Sequence, residues 1–202
     1  MKIIGLTGSV GMGKSTAAAM LRRMGVPVYD ADAAVHRMMA RGGSAVDAVA
    51  AAFPGVAKAG QIDRAALGRR VFGDDAAMKR LEAIIHPRVR HDEARFLAAM
   101  RRRGAALVVM DVPLLFESGR HRRYDATMVV TAPEFLQRAR VLARPGMTPA
   151  ALAAIKRRQM RDAEKRRLAD AVIPSGLGRA LTWRRLRRAL RALGGSAAVA
   201  LE

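Results

Sequence analysis

The nine residues Gly8-Ser9-Val10-Gly11-Met12-Gly13-Lys14-Ser15-Thr16 constrain this chain more than any other stretch, because they fit the phosphate-loop pattern G-x-x-x-x-G-K-[ST]. Such a loop works only between a strand and a helix, and both are legible. Lys2-Ile3-Ile4-Gly5-Leu6 reads as a short buried strand, and Thr16 to Met24 reads as a helix. Gly8, Gly11 and Gly13 let the backbone turn and bring its N–H groups to a phosphate without interference from Cβ, and the helix N-terminus adds partial positive charge. In this reading Met12 contributes backbone to the cradle and Lys14 reaches the β- and γ-phosphates. The Ser15 hydroxyl takes one position on Mg²⁺, and Thr16 lies near the α-phosphate. The pattern therefore calls for ATP or GTP.

The remaining segments alternate between strand and helix. Val26 to Tyr29 reads as a second strand with Asp30-Ala31-Asp32 at its carboxyl end, where ligands of open α/β sheets bind. A carboxylate there can take a proton from an attacking hydroxyl, hold Mg²⁺ through water, or cap the helix expected over Ala33 to Arg41. Asp32 is favoured for the chemistry, since two acids at i and i+2 do not aim at one site. Helical spacing marks Ala45 to Phe53, Arg64 to Phe72, Ala76 to Ile85 and Arg88 to Arg102, with a helix boundary expected at His86-Pro87. Ala105 to Asp111 is an apolar run ending in an acid, the form of a buried parallel strand beside the first. Asp111 is thereby a candidate for binding Mg²⁺ through water. Val112 to Gly119 follows as an apolar loop with Glu117 its only charge, and Ala126 to Val130 is another strand.

From Arg138 to Arg167 ten basic residues face only Asp162 and Glu164. Arg140 and Arg144, expected one turn apart on a helix broken by Pro145-Gly146, and a new helix from Thr148-Pro149 outline a helical lid. A kinase needs such a lid to keep water from the transferring phosphoryl group. Ala169 to Ile173 reads as a last strand, Pro174-Ser175-Gly176 as a loop, Arg179 to Leu193 as a basic terminal helix, and Gly194 to Glu202 as a loose tail.

Composition narrows the chemistry. With no cysteine among 202 residues, catalysis falls to carboxylates, hydroxyls, His, Lys, Arg and a hard metal such as Mg²⁺. No run approaches the apolar length of a membrane span and no leader pattern precedes the first strand, so the expectation is a cytoplasmic protein with no membrane partner. The net charge of +20 is of the kind that marks nucleic-acid binders. Only 4% of residues are aromatic, however, which leaves no stacking platform for single strands and argues against an obligatory nucleic-acid partner.

Taken together, Gly8 to Thr16, Tyr29 to Asp32, His86-Pro87 with Arg90, Val112-Pro113-Leu114-Leu115-Phe116-Glu117, Gln137 to Arg140 with Arg144 to Met147, Gln159, and Ala169 to Ile173 resemble the dephospho-CoA kinase family. The likeness spans nearly the whole chain. It implies an α/β, three-layer P-loop NTPase fold with a parallel sheet, a helical substrate-binding insertion and a helical lid. The core would take in about 1–34, 104–136 and 168–202, the insertion about 35–103 and the lid about 137–167. The implied reaction is transfer of the ATP γ-phosphoryl group to the ribose 3′-hydroxyl of dephospho-coenzyme A, the last step of coenzyme A synthesis. The resemblance places Gly11 to Thr16 on the ATP phosphates, Asp32 at the acceptor hydroxyl, Arg140 and Arg144 in the lid over ATP, and His86, Arg90 and Glu117 on the substrate side. It departs from the family at Pro174-Ser175-Gly176, where an acid and Asn or Thr commonly precede the glycine; this chain has no Asn, and only Ser175 keeps a side chain suited to adenine. Another P-loop small-molecule kinase would share loop and lid without the Val112 to Glu117 segment, and a nucleic-acid-binding ATPase would account for the charge.

Overall fold

The computed structural model describes residues 1–194. In chain order its elements are β1 (Lys2–Thr7), α1 (Lys14–Arg23), β2 (Val28–Asp30), α2 (Ala31–Met39), α3 (Val46–Ala52), β3 (Ala57–Lys58), β4 (Gln61–Ile62), α4 (Arg64–Val71), α5 (Asp75–Arg102), β5 (Leu107–Asp111), β6 (Ala126–Thr131), α6 (Glu134–Leu142), α7 (Pro149–Arg158), α8 (Asp162–Leu168), β7 (Ala171–Pro174) and α9 (Arg179–Gly194). The contacts divide the chain into two compact units, Met1–Tyr29 with the chain from Met100 onward, and Asp30–Ala99.

In the first unit β1 lies at the centre of a five-stranded sheet ordered β2-β5-β1-β6-β7. It pairs in parallel with β5 on one side and β6 on the other, and β6 pairs in parallel with β7. A parallel sheet covered by helices is dry on both faces, which is why Leu107 to Asp111 is buried at every position rather than at alternate ones. Ile4, Leu6, Val109, Met128 and Val130 share one core cluster with Ala17, Ala18 and Leu21 of α1 and Leu186 and Leu190 of α9. Each large aliphatic side chain buried there contributes about 1.5–3 kcal/mol. The parallel arrangement places the loops after β1, β5, β6 and β7 together at the carboxyl ends of the strands, which positions the site.

The second unit is helical, with a small hairpin that the alanine-rich sequence hides. β3 and β4 pair antiparallel around Ala59 and Gly60, both at positive φ as a tight two-residue turn requires. Asp30 closes β2 and caps α2, accepting the Ala33 N–H at 2.9 Å, so the helix starts at Ala31, two residues before the expected start. The boundary expected at His86-Pro87 is absent, because α5 runs unbroken from Asp75 to Arg102 with Pro87 inside it. Proline leaves a helix one donor short and crowds the preceding turn. The next residue ties this stretch to its surroundings, the Arg88 Nη1 donating to the Ile84 carbonyl at 2.7 Å and its Nε to the Ser44 carbonyl at 2.9 Å.

Two other expectations change. α6 ends at Leu142, so Arg144 lies beyond the helix and does not share a helical turn with Arg140. Gly194 belongs to α9, and the rest of the expected tail, 195–202, lies outside the described residues.

Candidate functional site

The loop between β1 and α1 has the shape its glycines allow. Gly11 and Gly13 adopt φ of 74° and 88°, and Gly13 leads directly into α1. A Cβ at Gly11 would lie 2.6 Å from Val141 Cγ2, and one at Gly13 would lie 2.9 Å from Ser175 Oγ, so α6 and the loop after β7 press too closely for any side chain. Met12 is buried behind the loop, while Ser15 and Thr16 are exposed at the start of α1. With the helix N-terminus this forms an anion-binding end.

Lys14 Nζ donates to Asp111 Oδ1 at 2.5 Å. The pair joins the phosphate loop to the end of the neighbouring strand β5, and its carboxylate is only 3% exposed. The same strand ends are tied again by Thr7 Oγ1, which donates to the Pro113 carbonyl at 3.0 Å. Burying a carboxylate is costly unless a cation accompanies it, so Lys14 compensates Asp111 in this state. Oxygen donors of this type, the Ser15 hydroxyl and the Asp111 carboxylate, suit Mg²⁺. No group of three or more His, Asp or Glu that could hold a metal occurs among the described residues.

Arg140 points into this region from α6. Its Nη1 donates to Ser175 Oγ at 3.1 Å and to the Gly11 carbonyl at 3.4 Å, and its Nη2 donates to the Ser175 carbonyl at 3.0 Å. Ser175 Oγ in turn donates to the Met12 carbonyl at 2.6 Å. The departure Pro174-Ser175-Gly176 therefore keeps a working contact, a serine hydroxyl that fastens the last loop to the phosphate loop. Arg144 is exposed.

Glu117 turns inward. Its Oε1 accepts the Met160 N–H at 2.9 Å and pairs with the fully buried Lys165 at 2.8 Å. A cavity of about 720 Å³ lies behind the phosphate loop, lined by Ser9, Met12, Thr131, Gln159, Asp162 and Leu177 among others, with neither Lys14 nor Asp111 on its walls. At its rim Glu134 pairs with Lys156 at 2.5 Å, and that hydrogen bond holds the Glu134 carboxyl below its ordinary value. Both partners are solvent-exposed, so the pair contributes little to holding α6 and α7 together.

In the second unit Asp32 sits in the first turn of α2, exposed and without a hydrogen bond or ion pair among the described residues. Asp30 does the capping, which leaves Asp32 the acid not committed to local structure. His86 and Arg90, four residues apart on α5, are both exposed on one face of that helix. Reading the sequence located the phosphate loop and the strand-end acids, but gave no role to Gln137 and Gln159. These bond the N–H and the C=O of one phosphate-loop residue, Val10, and their presence among the family-like residues is the only signal.

Residues 2–177 match a family model described as dephospho-CoA kinase. The chain is 65% identical over 166 residues to the dephospho-CoA kinase of Paramagnetospirillum magneticum, covering 82% of this chain and 78% of that one. A crystal structure from Thermus thermophilus, 38% identical, superposes with a TM-score of 0.84 over 95% of this chain and 96% of that one. The dephospho-CoA kinase structure from Campylobacter jejuni superposes with a TM-score of 0.63 at 21% identity over 95% and 97% of the two chains, a likeness of fold.

Proposed function

Because the chain belongs to the dephospho-CoA kinase family, we propose that it transfers the γ-phosphoryl group of ATP to the ribose 3′-hydroxyl of dephospho-coenzyme A, giving coenzyme A and ADP. The observation that carries this reading is the phosphate loop set against a buried strand-end acid, Lys14 on Asp111, in a chain matching the family from residue 2 to residue 177.

The chemistry divides among this chain's own groups. Backbone N–H groups of Gly11 to Thr16 receive the phosphates, with Gly8 opening the turn, and Lys14 moves its charge from Asp111 onto the oxygens where negative charge grows during transfer. Ser15 directly and Asp111 through water would hold Mg²⁺, which neutralises triphosphate charge when bound. Arg140 keeps two of its five donors after its three bonds to Gly11 and Ser175, enough to meet a nucleotide without releasing the loop it braces. Arg144 closes over ATP from the segment between α6 and α7, and Ser175 lines the adenine side. Asp32 takes the proton from the 3′-hydroxyl, and His86 and Arg90 bind the acceptor. The resemblance implies that Glu117 serves the acceptor side, and its hydrogen bond from Met160 and ion pair with Lys165 support a role in positioning that side. No helix among the described residues is long and apolar enough to cross a membrane; the reading is of a cytoplasmic enzyme on a small-molecule substrate.

A coupled assay of ADP release with ATP and Mg²⁺, run with and without dephospho-coenzyme A, tests the reading. Release should depend on the acceptor, and nucleic acid should not replace it. Asp32→Asn keeps size and hydrogen bonding but cannot accept the proton, so kcat should fall about 10²–10⁴-fold with small changes in binding. A kcat within about threefold of wild type, or restored by excess Mg²⁺, removes Asp32 as the base.

A further inference from the structure

The short segment 159–165 reaches three separate loops at the carboxyl ends of the sheet strands. Gln159 Oε1 accepts the Val10 N–H at 3.1 Å, in the phosphate loop after β1. Met160 N–H donates to Glu117 Oε1 at 2.9 Å, in the loop after β5, and Lys165, with no exposed surface, pairs with the same oxygen at 2.8 Å. Asp162 Oδ2 accepts from Thr131 Oγ1 at 2.6 Å, at the end of β6. From the opposite direction α6 supplies Gln137, only 4% exposed, whose Nε2 donates to the Val10 carbonyl at 2.8 Å.

Val10 is thus gripped on both of its backbone polar groups, its N–H by one glutamine and its C=O by another. The sense of each side-chain amide follows from chemistry, since an N–H can only donate and a carbonyl can only accept. The next residue has no freedom toward α6, because the space a Gly11 Cβ would need already lies 2.6 Å from Val141 Cγ2 and 3.0 Å from the Gln137 carbonyl oxygen. A glycine-rich loop free in solution samples many orientations of its peptides, and binding a phosphate must select the one with its N–H groups converging.

We propose that Gln137 and Gln159 are positioning residues for phosphoryl transfer. Together they hold the two peptide groups that flank Val10, Ser9–Val10 through its N–H and Val10–Gly11 through its C=O, each in one orientation, and so preset the N–H groups of Gly11 to Lys14. Glu117, Lys165 and the Thr131–Asp162 bond in turn anchor the segment that carries Gln159. Gln137 precedes α7 and Gln159 follows it, so the two ends of this helical hairpin meet on a single residue of the phosphate loop. The proposal rests on reading that loop as the ATP site.

The test pairs kinetics with amide hydrogen exchange on the full chain. Gln159→Met keeps the length of the side chain and loses the acceptor. It should raise KM for ATP about tenfold, the size of one hydrogen bond, and leave KM for dephospho-coenzyme A within about twofold. The Val10 amide should exchange at least about tenfold faster, with the amides of Gly5 and Met128 in the sheet unchanged. Gln159→Glu retains an acceptor oxygen and should keep the Val10 amide protected even though its charge weakens ATP binding. Unchanged Val10 exchange in Gln159→Met, or a lowered Tm with KM for ATP unmoved, overturns the proposal. Should that variant not fold, Gln137→Met, which removes the donor to the Val10 carbonyl, is read by the same ATP and acceptor KM values with the same limits. If the wild-type protein phosphorylates no dephospho-coenzyme A, the functional reading fails by itself, while Val10 exchange and calorimetric ATP affinity still decide the role of the glutamines.

Discussion

Lys14 carries two duties that a single substitution would confuse. In catalysis it is the cation of the phosphate loop, and in the fold it is the counter-charge of an Asp111 that retains 3% exposure. Lys14→Ala should lower kcat by well over tenfold, and it should also lower the unfolding free energy by about 2–4 kcal/mol, because a buried carboxylate loses the cation at 2.5 Å from it. Combining Lys14→Met with Asp111→Asn removes both charges and should recover most of the stability while activity stays lost. Denaturant titration beside steady-state kinetics separates the two effects. A double variant as unstable as Lys14→Ala would show that the ion pair is not what matters to the fold. The same division of labour separates Asp30, held by the Ala33 N–H, from Asp32, which has no such local duty.

Among the elements, α5 is where propensity and packing disagree most openly. Its 28 residues include Pro87, and two helices broken at that point are what local rules favour. Arg88 fastens the helix there by bonding the Ile84 and Ser44 carbonyls, and Ile85 and Val89, both buried, hold it against the rest of its unit on either side of the proline. Pro87→Ala should therefore stabilise the protein, by about 1–2 kcal/mol, since a backbone donor is restored to a helix already built around its absence. Arg88→Ala should destabilise by a similar amount through its two lost hydrogen bonds. Thermal unfolding of both variants checks the opposite signs; a Pro87→Ala protein that melts lower than wild type would mean that the proline ring is needed as packing.

For the whole molecule the charge of +20 acts at long range on whatever anion approaches. ATP and dephospho-coenzyme A are both polyanions, so kcat/KM for each should fall as salt rises from about 50 to 500 mM, with kcat nearly constant, because screening weakens encounter more than contacts already made. A kcat/KM indifferent to salt would assign the arginine excess to composition alone. Sequence by itself determined the phosphate loop, the alternation of strand and helix, the helix start at Thr148 and the family likeness, because each depends on neighbours within about one helical turn or on short contiguous motifs. Tertiary structure alone decided that Lys14 meets Asp111 across 97 residues, that Arg140 braces Ser175 across 35, and that Gln137 and Gln159 close on Val10 across 127 and 149. It also decided that α5 passes unbroken through a proline and that Glu117 turns inward onto Lys165. These contacts depend on strand order and on which side chains remain to satisfy buried polar groups, and neither leaves a periodic trace in the chain.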